Sequence, residues 1–579
     1  MASPVRDWCP LTVADTVAEE RDAEAPGARG FRGWLRWIVR PPTAFGGAVG
    51  ALVFFWLSLL PSLLPRAWLF QGVVSGLTAV IGYGIGGAVG AGVRRLATGT
   101  ADRRDRVRWV ALGGVALVGT VILLVLSHGW QNELRRLMGI EDEPDFSGLG
   151  VLLVALLVGS LILLVARMVR SFGRFVIRQV GRAAPPRVSI LIGIVLTVLV
   201  VVGFAQGFLW RGIVAGLNEG SSVANARSNE GTDVATATER SGGPDSLVSW
   251  DSLGRQGRDF VALGPTVADL EAFHGDGCCL QPIRVYTGLD SAGTAAERAA
   301  LAVGELHRTG AFDREVLAVF TATGTGWINP RVASSLEYLH RGDTAEVSMQ
   351  YSFLPSWMSF LVDQTKAAEA GHELITAVLA EIDQLPEEQR PTVLLFGESL
   401  GSYGTEETFA DLADLRNRVD GALLVGPTFA NPMWERLTAE RDPGSPQWLP
   451  SLAAEPGVRF ARTPADLEGF ADTAAAPRVV YLQNASDPIT WWNVPLAYRR
   501  PAWAGEPAAP DRAGAFRWIP IVTFWQTAVD LANSLGVPAG HGHYFGTNVV
   551  DAWAAVAPPE GWRSEDTERL RALLATPEE

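Results

Sequence analysis

The sequence predicts two structural units in series: a bundle of five membrane-spanning helices, then an open, mainly parallel sheet covered by helices on both faces. Three observations carry this reading. Five long uncharged apolar stretches crowd the first 210 residues of a 579-residue chain, which is too long for one ordinary core. From Leu247 onward, short apolar runs alternate with helical patterns, the signature of a parallel sheet with crossover helices. Within that second part, "LLFGESLGSYG" sets Ser399 between Gly397 and Gly401 at the end of an apolar run.

The five apolar stretches run near 44–64, 69–93, 109–127, 149–169 and 188–210. Each approaches the roughly 20 residues that a helix needs to cross a hydrocarbon core of ~30 Å. Buried helices of a soluble domain rarely give five such spans in succession. Orientation follows from arginine, because short arginine-rich loops stay on the cytoplasmic side. Arg29, Arg32, Arg36 and Arg40 precede the first stretch, Arg94, Arg95, Arg103, Arg104, Arg106 and Arg108 follow the second, and Arg167, Arg170, Arg174, Arg178, Arg182 and Arg187 follow the fourth. The opposite loops hold only Arg66, Arg135 and Arg136 among several acids, and Arg211. Residues 1–43 therefore read as a cytoplasmic tail without a secretory signal, residues 44–210 as the membrane unit, and everything after Trp210 as extracytoplasmic.

The spans hold essentially no ionisable side chain in their interiors, which disfavours transport. Gly82, Gly86 and Gly90, four residues apart, read as a face for close helix packing. The bundle is expected to anchor the chain in the lipid bilayer. The net charge of −14 joins an arginine-rich membrane part to an acidic outer part, leaving no basic surface for nucleic acid. Of three cysteines, Cys278 and Cys279 are adjacent and read as a vicinal disulfide or as two buried thiols. No metal-ligand spacing occurs, and no cofactor is expected.

Residues 211–246, rich in Ser, Gly, Thr and Asn, read as a polar linker; residues 247–579 form the outer domain. Its strands are expected in "PIRVYTGL", "EVLAVFTATGTG", "AEVSMQYSF", "PTVLLFGES", "VDGALLVGPTF" and "PRVVYLQNASDP", with helices at 295–310 and near 364–385. Carboxyl ends of parallel strands are where such sheets place their sites.

At the end of "TVLLF", a sharp strand-to-helix turn with Ser399 at its apex needs little bulk two residues to either side, which Gly397 and Gly401 provide. The backbone N–H of Leu400 at the following helix start suits an oxyanion. A serine hydroxyl needs a base, and the base an orienting acid, in the chain order serine, acid, histidine. Asp487 in "NASDP" is the expected acid, with Asp466 and Asp472 in weaker contexts. The base is His541 or His543 in "PAGHGHYFG". His541, between two glycines, is preferred. Thr323, Gly324 and Thr325 in "TATGTGWINP" are the expected second oxyanion donors. Trp327, Trp357, Trp434, Trp491, Trp492 and Trp525, with Met349, Phe353 and Met358, lie in or near these loops. They suit either an apolar acyl pocket or anchorage at the headgroup level.

On "GESLGSYG" and "GHGHYF" the chain resembles the actinobacterial membrane-anchored α/β-hydrolase family, in which a helical membrane region precedes a hydrolase domain. The resemblance covers nearly the whole chain. It implies a triad of Ser399, Asp487 and His541 or His543, and a serine esterase or lipase acting on an extracytoplasmic acyl ester of lipid or cell envelope. Acyl transfer by the same triad, or a non-catalytic scaffold, are the competing expectations.

Overall fold

Pro61 and Pro65 decide how the first apolar stretch folds, because proline inside a helix removes a backbone hydrogen bond and clashes with the preceding turn. In the computed structural model, helix α1 (Phe45–Ser58) stops before Pro61, and residues 59–67 form a buried turn. The structure describes residues 45–96, 105–143, 147–182, 185–204, 207, 212, 221–222, 224–275, 277–354, 356–362, 364–505 and 509–575. The expected cytoplasmic tail, including Cys9 and Arg29 to Arg40, lies outside the described residues, as do Arg103, Arg104, Trp210 and Arg211.

Four further helices complete the N-terminal unit: α2 (Trp68–Leu96), α3 (Asp105–Leu137), α4 (Gly148–Val180) and α5 (Pro186–Val202). Three of them are long and apolar enough to cross a membrane, over Trp68–Val93, Arg106–Leu137 and Gly148–Val180. The expectation of five spans is thereby corrected to three. Helix α1 has 14 residues and α5 has 17, short of the roughly 20 needed. The proline turn takes the end of the first stretch, and the C-terminal part of the fifth lies outside the described residues. The glycine face packs helix against helix: a Cβ on Gly86 would fall 2.2 Å from the Gly46 carbonyl oxygen, and one on Gly50 would fall 2.1 Å from that of Gly82. Only glycine permits backbones so close.

The second unit is a seven-stranded, wholly parallel sheet in the order β1-β3-β2-β4-β5-β7-β6. Its strands are β1 (Ile283–Thr287), β2 (Val316–Thr321), β3 (Thr344–Met349), β4 (Thr392–Glu398), β5 (Gly421–Val425), β6 (Val458–Ala461) and β7 (Arg478–Leu482). The sequence signals all but β6, whose four residues are too few for a periodic pattern. Helices α6 (Ala295–Thr309) and α7 (Gln364–Ile382) bury Ala299, Ala302, Leu374 and Val378 on one face. Val549, Val550 and Trp553 of a helix at Asn548–Val556 bury on the other. Helix α6 starts in a capping box between Thr294 and Glu297 and ends at Gly310, with φ 69°; both signals are legible in "TAAERAALAVGELHRTG".

The polar stretch before the sheet packs over its described part: Asn225 is buried, Ser241 N–H donates to the Arg284 carbonyl at 3.1 Å, and Arg284 N–H donates to that of Glu239. Cys278 and Cys279 are free thiols, Cys278 exposed and Cys279 half-buried, which corrects the expectation of a disulfide or two buried thiols.

The two units share a core. Leu63, Leu64, Leu134 and Met138 from the helical unit cluster with Ala513, Phe516 and Val537. Helix α8 (Leu400–Glu407) follows Ser399; helix α9 (Val522–Asp530) rests on the turn between α1 and α2. Gln526 Nε2 donates to the carbonyls of Ser58 (3.1 Å) and Leu60 (2.8 Å), and Asp530 accepts from Leu63 N–H (3.3 Å) and pairs with Arg66 Nε (3.4 Å). Burial raises the Asp530 carboxyl above its ordinary range, against the lowering charge of Arg66. The Arg66 and Asp530 side chains are at most 1% exposed, so Asp530→Ala leaves a buried unpaired cation. Such a loss costs about 3–5 kcal/mol. Purified Asp530→Ala protein is therefore expected to unfold at clearly lower temperature in detergent; an unchanged unfolding midpoint would contradict this account of the junction.

Candidate active site

The turn at Ser399 is built by backbone contacts that exclude side chains. Strand β4 ends at Glu398, and helix α8 (Leu400–Glu407) starts at once, so Ser399 alone must reverse the chain. It does so at φ 57° and ψ −122°, a conformation that non-glycine residues rarely adopt. A Cβ on Gly397 would fall 2.5 Å from the Gly401 carbonyl oxygen, and one on Gly401 would fall 2.1 Å from that of Thr321. Ser399 N–H donates to the Val425 carbonyl at 2.9 Å. Its own carbonyl accepts from Ser402 Oγ at 2.6 Å, and Asn431 Nδ2 in turn donates to Ser402 Oγ at 3.1 Å.

His543 stands beside this turn. A Cβ on Gly426, the residue after Val425, would lie 2.5 Å from His543 Cε1. His543 Nδ1 meets Asp487 Oδ2 at 2.6 Å. His543 Nε2 is buried without a hydrogen-bond partner among the described residues. Asp487 is fully buried; its Oδ1 accepts from Ile489 N–H at 2.8 Å, and its Oδ2 from Thr490 Oγ1 at 3.3 Å. Burial lowers the His543 pKa, but the charge and hydrogen bond of Asp487, aided by Glu398, outweigh it and raise the group above the ordinary 6.5.

His541, the base preferred from sequence, faces a different acid. Its Nδ1 meets Asp511 Oδ2 at 3.1 Å. Asp511 also accepts from Ser486 Oγ at 2.6 Å, and Ser486 Oγ accepts from Gly542 N–H at 3.0 Å. Burial raises the Asp511 pKa, yet the bonds from His541 and Ser486 bring it below its ordinary value. The two rings part because the chain turns at Gly542 between them, with φ 54°, which sends them to different acids. Asp466 caps its own turn by accepting from Thr463 N–H at 2.8 Å, and Asp472 is exposed.

Two acids were not found from sequence. Asp511 lies in "APDRAG" with no strand before it, so no signal marked it. Glu398, directly before Ser399, is buried, accepts from Asn329 Nδ2 at 3.1 Å and acts electrostatically on His543. Burial raises its own pKa, against His543 and Asn329. Its place inside the GxSxG pattern was the available signal.

Of the expected oxyanion donors, Leu400 begins α8, where backbone N–H groups have no helical partner. Thr323 N–H instead donates to the Trp327 carbonyl at 3.1 Å, so it serves the turn and is withdrawn from the donor set. Gly324 and Thr325 stand on that turn; a Cβ on Gly324 would lie 2.6 Å from Ser359 Oγ. Trp491 and Trp434 are packed together in the core, ring centroids 5.8 Å apart, with Nε1 atoms donating to the Asn484 carbonyl and Gln483 Oε1. They support the Asp487 loop rather than line a pocket. Met349 and Met358 are also buried. Trp327 and Trp525 are half-buried, and the Trp357 side chain lies outside the described residues. Trp492 belongs to a file of rings: Phe360 to Phe429 at 5.4 Å, Phe429 to Trp492 at 6.2 Å, and Trp492 to Phe524 of α9 at 5.2 Å. Among the described residues, no group of three or more His, Cys, Asp or Glu side chains is placed to hold a metal.

Residues 283–570 match the model of an alpha/beta-hydrolase family, and residues 59–265 match the model of that family's N-terminus. No curated protein and no solved structure matches the chain.

Two expectations follow from the geometry. Gly401→Ala would force its methyl into the Thr321 carbonyl, and a lower thermal midpoint together with loss of reactivity at Ser399 is expected; a fully reactive variant would contradict the close approach. For His543, a folded pKa above the unfolded value stabilises the charged form. That contribution is present in full below 6.5 and is lost as pH rises through the folded pKa. Unfolding midpoints of the parent and His543→Gln proteins should therefore converge as pH is raised across that range, and a gap that widens instead would refute the coupling to Asp487.

Proposed function

Because the chain belongs to this α/β-hydrolase family, we propose that it is a membrane-bound serine hydrolase that cleaves an acyl ester, with Ser399 as nucleophile, His543 as base and Asp487 as the acid that orients it. The observation that carries the reading is the His543 ring, held by Asp487 through Nδ1, with a buried, unpartnered Nε2 beside the strained Ser399 turn.

In this reading Ser399 Oγ attacks the ester carbonyl carbon and its proton passes to His543 Nε2. The negative oxygen of the tetrahedral intermediate accepts from Leu400 N–H, with Gly324 or Thr325 as second donor. Collapse of the intermediate breaks the ester C–O bond, and the leaving alcohol takes the proton from His543. A water molecule then adds to the acyl-enzyme by the same route in reverse and releases the acid and free Ser399. His541 takes no proton in this scheme; with Asp511 and Ser486 it fixes the loop that carries His543.

Long apolar helices joined to the hydrolase domain support a substrate drawn from the bilayer. The ring file from Phe360 to Phe524 ends on α9, which rests on the ends of α1 and α2, and it would suit an acyl chain. The arginine distribution supports an extracytoplasmic domain. Acyl transfer to a sugar or lipid hydroxyl is a second reading, favoured by the burial of Ser399 and His543, 4% and 7% exposed, since a dry site protects an acyl-enzyme from water.

A fluorophosphonate probe applied to intact cells is expected to label the chain, and Ser399→Ala to abolish the label. Retained label in that variant would refute the nucleophile, and label only after the membrane is breached would reverse the orientation. Removing a general base typically costs about 10²–10⁴ in rate; that loss is expected for His543→Ala in acyl-ester turnover, and less than a tenfold loss for His541→Ala. The reverse pattern would exchange the two histidines.

A further inference from the structure

The loop that follows β2 owes its shape to two buried side chains beside it. Gly326 N–H donates to the Thr323 carbonyl at 2.9 Å, and Thr323 N–H donates to that of Trp327 at 3.1 Å, which closes residues 323–327 into a tight turn. Two of its carbonyls are then pinned from outside: that of Thr325 accepts from Gln350 Nε2 at 2.9 Å, and that of Gly326 accepts from Tyr286 Oη at 2.7 Å. The same two side chains fill the space at Gly326, where φ is 84°; a Cβ there would fall 2.3 Å from Tyr286 Oη and 2.7 Å from Gln350 Cγ. A peptide unit is planar, so pinning an oxygen also fixes the N–H bonded to the same carbonyl carbon. The N–H groups of Gly324 and Thr325 have no partner among the described residues, and they are the donors that the pinned turn leaves over.

Gln350 directly follows β3 and is 1% exposed. Its amide is oriented from both ends. Oε1 accepts from Leu289 N–H at 3.3 Å, so Nε2 faces the acceptors, which are the Thr325 carbonyl, the Ser352 carbonyl at 3.1 Å and Asn225 Oδ1 at 3.1 Å. Asn225 belongs to the polar stretch between the helical unit and the sheet, and it is held in turn. Its Oδ1 also accepts from Arg255 N–H at 3.2 Å, its carbonyl accepts from Arg258 Nη2 at 2.8 Å, and a Cβ on Gly254 would lie 2.5 Å from its Nδ2. The pair joins residues 125 apart in the chain: Asn225 lies in the part that matches the family's N-terminus, Gln350 in the part that matches the hydrolase. Burying two amides is costly unless their polar atoms are paired. Apolar side chains would fill the same space, but only a donor reaches both Asn225 and the Thr325 oxygen.

We propose that Gln350 and Asn225 are positioning residues for the second oxyanion donor. They hold the Thr325 peptide so that Gly324 or Thr325 N–H is presented to the tetrahedral intermediate, and they tie that placement to the segment leading out of the helical unit. The proposal rests on the serine-hydrolase reading above and concerns how the donor is set, since neither side chain touches the reacting atoms. Oxyanion donors act through being in place before the charge develops, and a shift of about 1 Å in such a group can cost on the order of 10²-fold in rate.

The test uses the full chain in detergent micelles, with the rate of fluorophosphonate labelling at Ser399 and acyl-ester turnover as readouts. Gln350→Met keeps the length of the side chain and removes its donors; labelling rate and kcat are expected to fall about tenfold or more, with KM within about threefold of the parent. Asn225→Ala is expected to lose several-fold, and Asn225→Asp, which retains an acceptor for Gln350 Nε2 and Arg255 N–H, to recover most of that loss. A second readout separates the oxyanion from general damage to the site. Chloroacetamide alkylates the thiol of Ser399→Cys at a saturated carbon, where no oxyanion forms, so adding Gln350→Met should leave that rate nearly unchanged. Alkylation is followed on the peptide carrying position 399, because Cys278 is exposed as well. Labelling at the parental rate in Gln350→Met, or an equal loss of alkylation at position 399, would overturn the proposal. A parent chain that takes no label would instead refute Ser399 as nucleophile, so the two failures are told apart.

Discussion

The approach of the first turn of α8 to the end of β2 sets the rest of the candidate site. With the Gly401 α-carbon so placed that a Cβ would lie 2.1 Å from the Thr321 oxygen, the helix is pressed onto the sheet and must begin directly after Glu398. Only one residue remains to make the turn, and Ser399 takes φ 57°. A conformation of this kind costs of order 1–3 kcal/mol and persists only when its surroundings over-determine it. Here they do. Helix α7 meets α8 backbone to backbone, a Cβ on Gly371 falling 2.5 Å from the Gly404 oxygen and one on Gly404 falling 2.5 Å from that of Ala367. The chain thus spends its small residues where three layers converge on one serine.

His543 and Asp487 are held by a different device. The segment 484–487 supplies three successive anchors to the histidine loop: Asn484 Nδ2 to the Gly542 carbonyl at 3.0 Å, Ser486 Oγ from Gly542 N–H at 3.0 Å, and Asp487 to His543. His541 and Asp511 close the same loop from its outer side. Two histidines within three residues of chain therefore pair with different acids, His543 with Asp487 and His541 with Asp511. The difference lies in burial and surroundings, since His543 has Glu398 near it as well as Asp487.

Sheet order apart, most of the hydrolase fold was legible, because buried parallel strands read as continuous apolar runs and helices such as α6 carry their caps in the sequence. The turn at Ser399 was legible too, because glycine spacing encodes a steric requirement directly. What sequence could not distinguish was His541 from His543, since both sit among glycines in one pentapeptide and the choice depends on the backbone turn at Gly542. Asp511 was hidden because its link to His541 is purely tertiary. The five apolar stretches were found as helices, but membrane-crossing length was misjudged at the first, where Pro61 ends α1 early and gives residues 59–67 to the junction with the hydrolase domain. Trp491 was misassigned because a tryptophan beside the Asp487 loop reads alike whether it lines a pocket or fills the core beneath it.

That junction explains why polar residues sit where apolar ones would have sufficed. A buried ion pair such as Arg66 with Asp530 contributes little net stability compared with well-packed hydrophobic groups, but hydrogen bonds are directional. Gln526 grips two carbonyls of the turn, and Asp530 grips a backbone N–H and a guanidinium, which fixes the angle of α9 on the helical unit as apolar contact would not. Helix α9 also carries Phe524 and Trp525, whose rings continue the file from Phe360 through Phe429 and Trp492. Arg66 Nε faces Asp530 on α9, while its Nη2 donates to the Leu60 carbonyl of the same turn at 3.4 Å. The helical unit thereby sets the position of α9 and of Phe524, through hydrogen bonds of Gln526, Asp530 and Asn533 to its turn and through the shared apolar core.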